Sequence, residues 1–359
     1  MYRLIKKILF LIDAETTHNG TIKLLKITQH YTIIHKLLKK LFVIDSPLLE
    51  NDIHGIKFKN PIGLAAGFDK SGEVAYILQS IGFGHIEIGG VTPFPQDGNQ
   101  KPRLFRLKED QAIINRMGFN NNGMEQIFLN YKKFKFQIPV GINVGVNKNT
   151  TDRIDDYVRV IDLFSDNVPY YTINISSPNT EGLQDFHNLE MLKRLINKLK
   201  ELKNIKNLEV PIFIKITSDI SYNSLDKILP TIDSFFDGII VSNTTQSREG
   251  LISKYSSENG GLSGKPLYER NLEMIKYIYP KVSRNLVIIG TGGISNSDDV
   301  IKMITAGASF VQIYTSLVYS GPSIVKTINQ DLIHYMQDKK YSSIRQMIGS
   351  IYNSNIDNN

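Results

Sequence analysis

The chain has 359 residues, of which 41% are hydrophobic and 21% are charged, so it is long enough to bury a full hydrophobic core. It contains no cysteine, which excludes disulfides, thiolate metal sites and iron–sulfur clusters held by cysteine. The net charge is +7, but the basic residues are dispersed, and we therefore favour a solvated lysine-rich surface over nucleic-acid binding.

Residues 1–50 differ in pattern from the rest of the chain. Apolar residues recur at helical spacing from Ile5 to Ile12 and again from Ile33 to Phe42, with lysines on the opposite face. Two interpretations are open: a helical cap packed on the main domain, or a platform in a membrane interface whose lysines meet phospholipid headgroups. These residues alone slightly favour the cap.

Beyond residue 53, short apolar runs alternate with stretches of helical period. The eight predicted strands are 62–68, 85–91, 140–146, 171–176, 212–217, 238–243, 286–293 and 310–316, and helices are predicted at 189–202, 224–236, 268–279 and 297–306. Eight such units predict an α/β fold, a closed (β/α)8 TIM barrel with an N-terminal amphipathic helical extension. A doubly wound open sheet is the alternative, but no GxGxxG fingerprint follows the first strand.

Three connections and the tail complete this organisation. Residues 54–59 predict a small hairpin across the bottom of the barrel. Residues 94–122 and 244–265 are long connections, which in compact domains often cover an active site. We therefore predict a helical extension at 1–50, a barrel at 51–340 and a polar C-terminal tail at 341–359.

Polar groups follow the ends of the predicted strands, where a barrel carries its catalytic residues. One strand runs into the hydrogen-bonding segment 174–180, which an ordinary polar turn explains equally well. All the strand ends together give Lys70, Gly90, Asn143, Asn174 with Ser177, Lys215, Ser242 with Asn243 and Thr244, Gly292 with Gly293, and Tyr314 with Thr315. These residues predict neither a metal-type cluster nor a Ser–His–Asp arrangement.

The set favours a planar, oxygen-rich anion with a phosphate nearby. The loops after strands seven and eight are the usual phosphate site of this fold, and the glycines within 290–294 let backbone N–H groups approach an anion closely. A tight turn that needs glycine is the alternative explanation. Lys215 is suited to stabilising charge on a reduced cofactor ring, and Lys70 to the same task or to pairing with a substrate carboxylate; a lysine Schiff base is the competing chemistry.

Seven motifs, in chain order, carry a resemblance to a known family. They are residues 60–70, 101–106, 115–121, 174–180, 242–245, 260–264 and 290–294. Together they resemble the dihydroorotate dehydrogenase family, and specifically its membrane-associated, quinone-dependent class (class 2). The resemblance implies an oxidoreductase with one FMN per chain, which oxidises (S)-dihydroorotate to orotate in de novo pyrimidine (UMP) biosynthesis and passes the electrons to a membrane quinone as co-substrate.

The resemblance also implies roles for individual residues. Ser177 is the catalytic base, in the position where cysteine-dependent relatives carry cysteine; it needs an activated environment, for which Thr180 is a neighbour. The substrate-binding residues are Lys70, Asn115, Arg116, Met117, Gly118, Phe119, Asn174, Asn179, Asn243 and Thr244. The FMN-binding residues are Ala66, Gly67, Phe68, Asp69, Lys70, Gly90, Asn143, Asn174, Lys215, Ser242, Gly264, Gly293, Tyr314 and Thr315.

The sequence departs from the family pattern at two positions. Gly90 stands where the family usually has threonine, which puts one flavin hydrogen bond in doubt, and Ser242 replaces another usual threonine but keeps the hydroxyl. Neither change removes a group that the chemistry requires.

The implied partners follow from the same resemblance. Residues 1–50 are expected to form the quinone tunnel and to bind an anionic lipid surface, which makes the chain a peripheral membrane protein on the cytoplasmic face of the bacterial inner membrane. We expect no nucleic-acid partner and, without cysteine, no iron–sulfur partner subunit. A flavin barrel acting on another dihydropyrimidine or an ene-type substrate, and a non-catalytic flavin- or phosphate-binding membrane protein, are the alternatives.

Overall fold

The computed structural model describes residues 2–180 and 182–353. The strands are β1 (Asn51–Ile53), β2 (Ile56–Phe58), β3 (Ile62–Leu64), β4 (His85–Val91), β5 (Leu104–Leu107), β6 (Ala112–Asn115), β7 (Val140–Val144), β8 (Tyr171–Asn174), β9 (Ile212–Lys215), β10 (Gly238–Val241), β11 (Gly261–Gly264), β12 (Val287–Thr291) and β13 (Phe310–Ile313). The helices are α1 (Tyr2–Leu9), α2 (Ala14–Thr28), α3 (Thr32–Phe42), α4 (Ala75–Leu78), α5 (Gly123–Lys132), α6 (Arg153–Phe164), α7 (Leu189–Lys206), α8 (Tyr222–Phe235), α9 (Tyr268–Ile278), α10 (Ser297–Thr305), α11 (Thr315–Ser320), α12 (Ile324–Asp338), α13 (Ile344–Met347) and α14 (Ser350–Asn353).

Eight parallel strands close into a barrel in the order β3, β4, β7, β8, β9, β10, β12 and β13. Closure is completed where β13 pairs with β3, with Val311 opposite Ile62. The predicted TIM barrel is therefore confirmed, and so are all eight predicted strands. Seven of them end two to four residues before their predicted ends. Single backbone hydrogen bonds continue past some of these ends, as from Ile216 N–H to the Ile240 carbonyl at 3.2 Å, before the chain turns into the loops at the barrel mouth.

The bottom of the barrel is closed by aromatic side chains. Phe58 of β2 packs on Phe310 with ring centroids 4.2 Å apart, and Tyr170 stacks on Phe213 at 5.0 Å. Strands β1 and β2 pair antiparallel, which confirms the hairpin predicted across residues 54–59. Because this end is filled, side chains at the opposite ends of the strands define the functional face.

The outer layer consists of helices that bury one face each against the barrel. In α7, the buried residues Leu192, Leu195, Ile196, Leu199 and Leu202 recur at helical spacing, and the helix begins after an Asn188 cap that accepts from Glu190 N–H. The four predicted barrel helices correspond to α7, α8, α9 and α10 and are confirmed, with ends that differ by at most four residues.

The two long connections contain strands that the sequence did not reveal. Strands β5, β6 and β11 form a small antiparallel sheet in the order β11, β6, β5, with Asn115 of β6 opposite Gly261 of β11. The sheet joins the 94–122 connection to the 244–265 connection. Both are ordered by this pairing and also by contacts within each loop, such as the β5–β6 pairing and the bridge between Thr245 and Leu262.

The N-terminal extension contains three helices, not two. Helices α1 and α3 correspond to the predicted amphipathic stretches, whereas α2 was not predicted because Thr16, Thr17, Asn19 and Gly20 interrupt its apolar pattern. Asp13 caps α2 by accepting from Thr16 N–H at 2.9 Å. Among the described residues, none of the helices combines the length and apolarity needed to cross a bilayer.

The C-terminal segment packs on the barrel in its described part. Ile344 and Met347 of α13 are buried, and Tyr352 donates to the Lys276 carbonyl at 3.0 Å. Residues 354–359 of the predicted polar tail lie outside the described residues.

Candidate active site

A cavity opens at the carboxyl ends of the barrel strands, beneath the β5–β6–β11 sheet. Most of the predicted site residues line it, although they come from widely separated parts of the chain. They are Ala66, Gly67, Lys70, Gly90, Asn115, Met117, Gly118, Phe119, Asn143, Asn174, Ser177, Asn179, Lys215, Ser242, Asn243, Thr244, Gly264, Gly293, Tyr314 and Thr315. The structure therefore brings the predicted base, both lysines and the asparagines into one cavity.

Three predicted site residues lie outside this lining. Phe68 is buried with its ring 5.9 Å from that of Tyr314, and Asp69 accepts three backbone N–H bonds at the start of α4. Arg116 forms an ion pair with Glu258 at 2.8 Å and lies over the Phe105 ring. Phe68 thus packs on a cavity residue, whereas the polar groups of Asp69 and Arg116 are directed at neighbouring segments.

Ser177 follows β8 and is buried in the cavity wall. Its Oγ accepts the backbone N–H of Asn179 at 3.3 Å, a turn that fixes the side chain and leaves the hydroxyl proton free to donate. Asn179 in turn donates from Nδ2 to the Asn115 carbonyl at 3.2 Å. This contact connects the Ser177 segment to β6 across the cavity.

The floor of the cavity contains a continuous series of hydrogen bonds that ends at Glu87. Asn174 donates to Asn143 Oδ1 at 3.2 Å, and Asn143 donates to Glu87 Oε2 at 3.1 Å. Glu87 is on β4 and is 0% exposed. Sequence reasoning missed this residue, yet an acid inside an otherwise apolar strand is itself a signal, since buried carboxylates almost always have partners.

The two cavity lysines differ in their surroundings. Lys215 is only 4% exposed; burial lowers the pKa of its ammonium, and the Glu87 carboxylate partly opposes that effect. Burial lowers the pKa of Lys70 to about 8, with the Glu15 carboxylate of α2 acting in the opposite direction. Lys70 Nζ donates to the Gly67 carbonyl at 2.6 Å. Both groups favour an anionic or electron-rich ligand.

One corner of the cavity, after β12 and β13, has the features of an anion site. Gly292 and Gly293 have φ of +100° and +84°, and a Cβ on Gly293 would lie 2.3 Å from Tyr268 Cα, so only glycine fits there. Ser316 Oγ lines the same cavity and is buried without a hydrogen-bond partner among residues 2–180 and 182–353. Sequence reasoning stopped at the adjacent Thr315 and missed this hydroxyl.

Comparison with known proteins agrees with this geometry. The family model described as Dihydroorotate dehydrogenase matches residues 48–336. The chain belongs to the dihydroorotate dehydrogenase family. A protein of Christiangramia forsetii named Dihydroorotate dehydrogenase (quinone) is 44% identical over 93% of this chain and 99% of its own length. A protein of the same name from Bartonella tribocorum is 44% identical over 94% of this chain and 93% of its own length.

Solved structures of the family have the same fold. DHODH from Eimeria tenella in complex with ferulenol superposes with a TM-score of 0.82 and 31% identity, over 90% of this chain and 96% of that chain. The ligand-free type from the same organism gives a TM-score of 0.80 and 32% identity, over 89% and 98%. The likeness therefore covers about nine-tenths of this chain.

The structure explains how the chain accommodates glycine at its departure from the family pattern. A Cβ on Gly90 would lie 2.6 Å from Phe119 Cδ1, so the Phe119 ring occupies the space of a side chain at position 90. At the other departure, Ser242 Oγ donates to Asn271 Oδ1 at 2.7 Å, and Asn271 donates to the Thr291 carbonyl at 2.6 Å. The Ser242 hydroxyl is thus oriented by Asn271 of helix α9, outside the barrel.

Proposed function

We propose that this chain oxidises (S)-dihydroorotate to orotate, with FMN as hydride acceptor and a membrane quinone as final electron acceptor, in de novo pyrimidine biosynthesis. One observation carries the proposal: Ser177, Lys70, Lys215 and the cavity asparagines converge at one barrel mouth in a chain that matches this family along the whole barrel. The names of the relatives support the quinone as acceptor.

The residues present fit FMN. Gly292, Gly293 and the buried Ser316 hydroxyl offer donors to a phosphate, while Lys215 offers positive charge to an electron-rich ring. The proposed FMN-binding set also includes Ala66, Gly67, Gly90, Asn143, Asn174, Ser242, Gly264, Tyr314 and Thr315. When bound, FMN would accept the hydride and pass on electrons, a redox chemistry that side chains lack.

In this proposal, Ser177 takes a proton from dihydroorotate. A serine hydroxyl is a weak base by itself, so its proton must pass on to a neighbouring hydroxyl or water, and Thr180 lies three residues away. The ammonium of Lys70 pairs with the substrate carboxylate. Asn115 and Asn179 hold the ring by amide hydrogen bonds from the β6 side.

Ser177→Ala tests the assignment of the base. Anaerobic flavin reduction by dihydroorotate should slow by orders of magnitude, while orotate binding, followed by the flavin spectrum, should stay close to that of the wild type. Ser177→Cys is the matched variant, since its thiol should restore part of the rate with a pH profile set by thiol ionisation. An unchanged reduction rate in Ser177→Ala would remove Ser177 as the base.

We further propose that residues 1–50 bind an anionic membrane on the cytoplasmic face of the bacterial inner membrane and give the quinone access to the barrel. Helices α1 to α3 and their connections leave many large apolar side chains exposed. They are Leu4, Ile5, Ile8, Leu11, Ile12, Leu24, Ile27, Tyr31, Ile33, Leu37 and Leu41. Arg3, Lys7 and Lys36 lie beside them in sequence, which suits a surface of anionic headgroups.

The membrane proposal is tested by one charge on the apolar surface. Leu11 is 85% exposed, and Leu11→Glu should weaken binding to vesicles that contain anionic lipid. Ile205 at the end of α7 is 79% exposed but lies outside the extension, so Ile205→Glu is the matched control and should bind like the wild type. Equal vesicle binding by both variants would contradict the proposal.

The absence of cysteine further supports a chain that works without an iron–sulfur partner subunit.

A further inference from the structure

The hydrogen bonds on the cavity floor all run in one direction. Asn243 Nδ2 donates to Ser176 Oγ at 3.0 Å, and Ser176 Oγ donates to Asn174 Oδ1 at 2.9 Å. Asn174 Nδ2 donates to Asn143 Oδ1 at 3.2 Å, and Asn143 Nδ2 donates to Glu87 Oε2 at 3.1 Å. Each member donates toward Glu87 and accepts from the side of Asn243.

Glu87 is surrounded by donors on its other oxygen as well. Oε1 accepts from Thr172 Oγ1 at 2.9 Å and from Gln312 Nε2 at 2.8 Å. Gln312 is oriented for this contact because its Oε1 accepts from Thr291 Oγ1 at 3.2 Å. Glu87 thus accepts on both of its oxygens, from three donors. The end of the series therefore has a fixed polarity.

An asparagine amide can turn over and exchange its oxygen for its nitrogen, so amide series have two possible directions. Here the Glu87 carboxylate allows only one of these directions. If Asn143 turned over, its oxygen would face Glu87 Oε2, and its nitrogen would face Asn174 Nδ2. Both contacts would then be repulsive and buried, where an unpaired polar group is costly.

We propose that Glu87 is a positioning residue that fixes the amide orientations of Asn143, Asn174 and Asn243, and thereby sets which hydrogen-bonding groups the cavity presents to its ligand. Asn143 and Asn174 each use the amide oxygen and one of two N–H groups along the floor, which leaves one N–H of each for the cavity. Asn243 donates an N–H to Ser176, and within the described part of the chain its amide oxygen is left for the ligand. This inference rests on the proposed function for the identity of the ligand.

The pattern selects a ring of a particular chemical class. Two amide N–H donors suit carbonyl oxygens, and the Asn243 oxygen suits a ring N–H, so the site fits a planar cyclic amide or imide that carries both groups. A reversed series would present acceptors to the carbonyl oxygens and would reject the same ring. Discrimination of this kind is strong, since mismatched buried polar groups are left unpaired.

Exchanging the carboxylate and the amide between positions 87 and 143 tests the direction of the series separately from the loss of the Glu87 charge. In Glu87→Gln, an amide N–H either faces the Asn143 donor or forces it to turn over. In the double variant Glu87→Gln/Asn143→Asp, the new amide donates to the new carboxylate, which accepts from Asn174 as before. The double variant keeps the net charge and a carboxylate near Lys215. Asn143→Asp alone places two carboxylates against each other.

The holoproteins are titrated with orotate, followed by the flavin spectrum, and the FMN-free proteins are melted. We expect Glu87→Gln to lose about 10-fold to 100-fold in orotate affinity and to melt earlier. Asn143→Asp should be at least as impaired. The double variant should regain most of the lost melting temperature, a non-additive result, but not the orotate affinity, because an aspartate at position 143 has no N–H for the cavity. Asp156→Asn, at a buried carboxylate that accepts from Asn147 N–H and Thr150 Oγ1, is the control and should keep orotate affinity.

Two results would overturn the inference: wild-type orotate affinity and melting in Glu87→Gln, or no recovery of the melting temperature in the double variant. If the wild-type holoprotein failed to bind orotate, the proposed function would be wrong. The melting temperatures of the FMN-free single and double variants would then still decide whether Glu87 sets the direction of the series.

Discussion

Replacing Glu15 with alanine removes a buried carboxylate from the contact between α2 and the connection that precedes β5. Glu15 Oε1 lies 2.8 Å from Arg103 Nη2, and their side chains are 8% and 7% exposed. Lys101 Nζ is 3.4 Å from the same oxygen, but its side chain is 64% exposed. The energetics therefore rest on Arg103, because exposed ion pairs contribute only about 0–1 kcal/mol.

The cost follows from what the alanine variant leaves behind. Breaking a buried ion pair by removing one partner destabilises a protein by about 3–5 kcal/mol, since the other charge remains buried. Arg103 would keep the Asp97 and Asn99 carbonyls, at 2.5 and 2.7 Å. We expect the melting temperature to fall by about 6–10 °C, using roughly 2 °C per kcal/mol for a large domain. Although burial acts to raise it, Arg103 holds the pKa of Glu15 below its usual range.

The assay compares the thermal unfolding of Glu15→Ala, Lys101→Ala and the wild type. Lys101→Ala should melt within about 2 °C of the wild type. Because the Glu15 pKa is lowered, the stabilisation is present above the unfolded pKa of about 4.3 and is lost as the pH falls through the folded pKa, so the gap between Glu15→Ala and the wild type should close in acid. If Glu15→Ala melted within 1 °C of the wild type at pH 7, the reasoning about this ion pair would be refuted.

Substitutions at two other positions have defined outcomes. Burial lowers the pKa of His85, which packs against Phe58 and Phe310, to about 3, so its contribution to stability is lost as the pH falls from about 6.5. His85→Phe should gain about 2–3 kcal/mol over the wild type between pH 7 and pH 4.5; parallel melting profiles would contradict this. Gly90→Thr should displace the Phe119 ring, cost about 1–3 kcal/mol and weaken orotate binding, as should Gly90→Ala; tighter FMN binding with unchanged melting would count against the argument.

The sequence was sufficient to predict the barrel, because its strands are short apolar runs separated by helical stretches. It did not define where the strands end. Ile175 and Ile216 are fully buried, yet they follow the last paired residues of β8 and β9, so apolarity continues beyond the ends of the strands. Strands β6 and β11 were missed for the opposite reason, since each is stabilised by pairing with a segment about 150 residues away.

The site was predictable to the extent that it depends on strand ends, which necessarily meet at one mouth. Contacts between residues that are distant in the sequence were not predictable. The Phe119 ring contacts Gly90, and Glu15 forms an ion pair with Arg103. No local sequence pattern predicts that these segments lie close together. Glu87 lies between these cases, because its position inside an apolar strand could have predicted a buried network, although not the direction of its hydrogen bonds.

The central claim is that Ser177, the lysines and the asparagines form one site for the oxidation of dihydroorotate. The anaerobic absorption spectrum of the FMN-loaded protein tests it most directly. Dihydroorotate should bleach the visible flavin band, and a quinone added afterwards should restore it. Flavin that stays fully oxidised with saturating dihydroorotate would contradict the account.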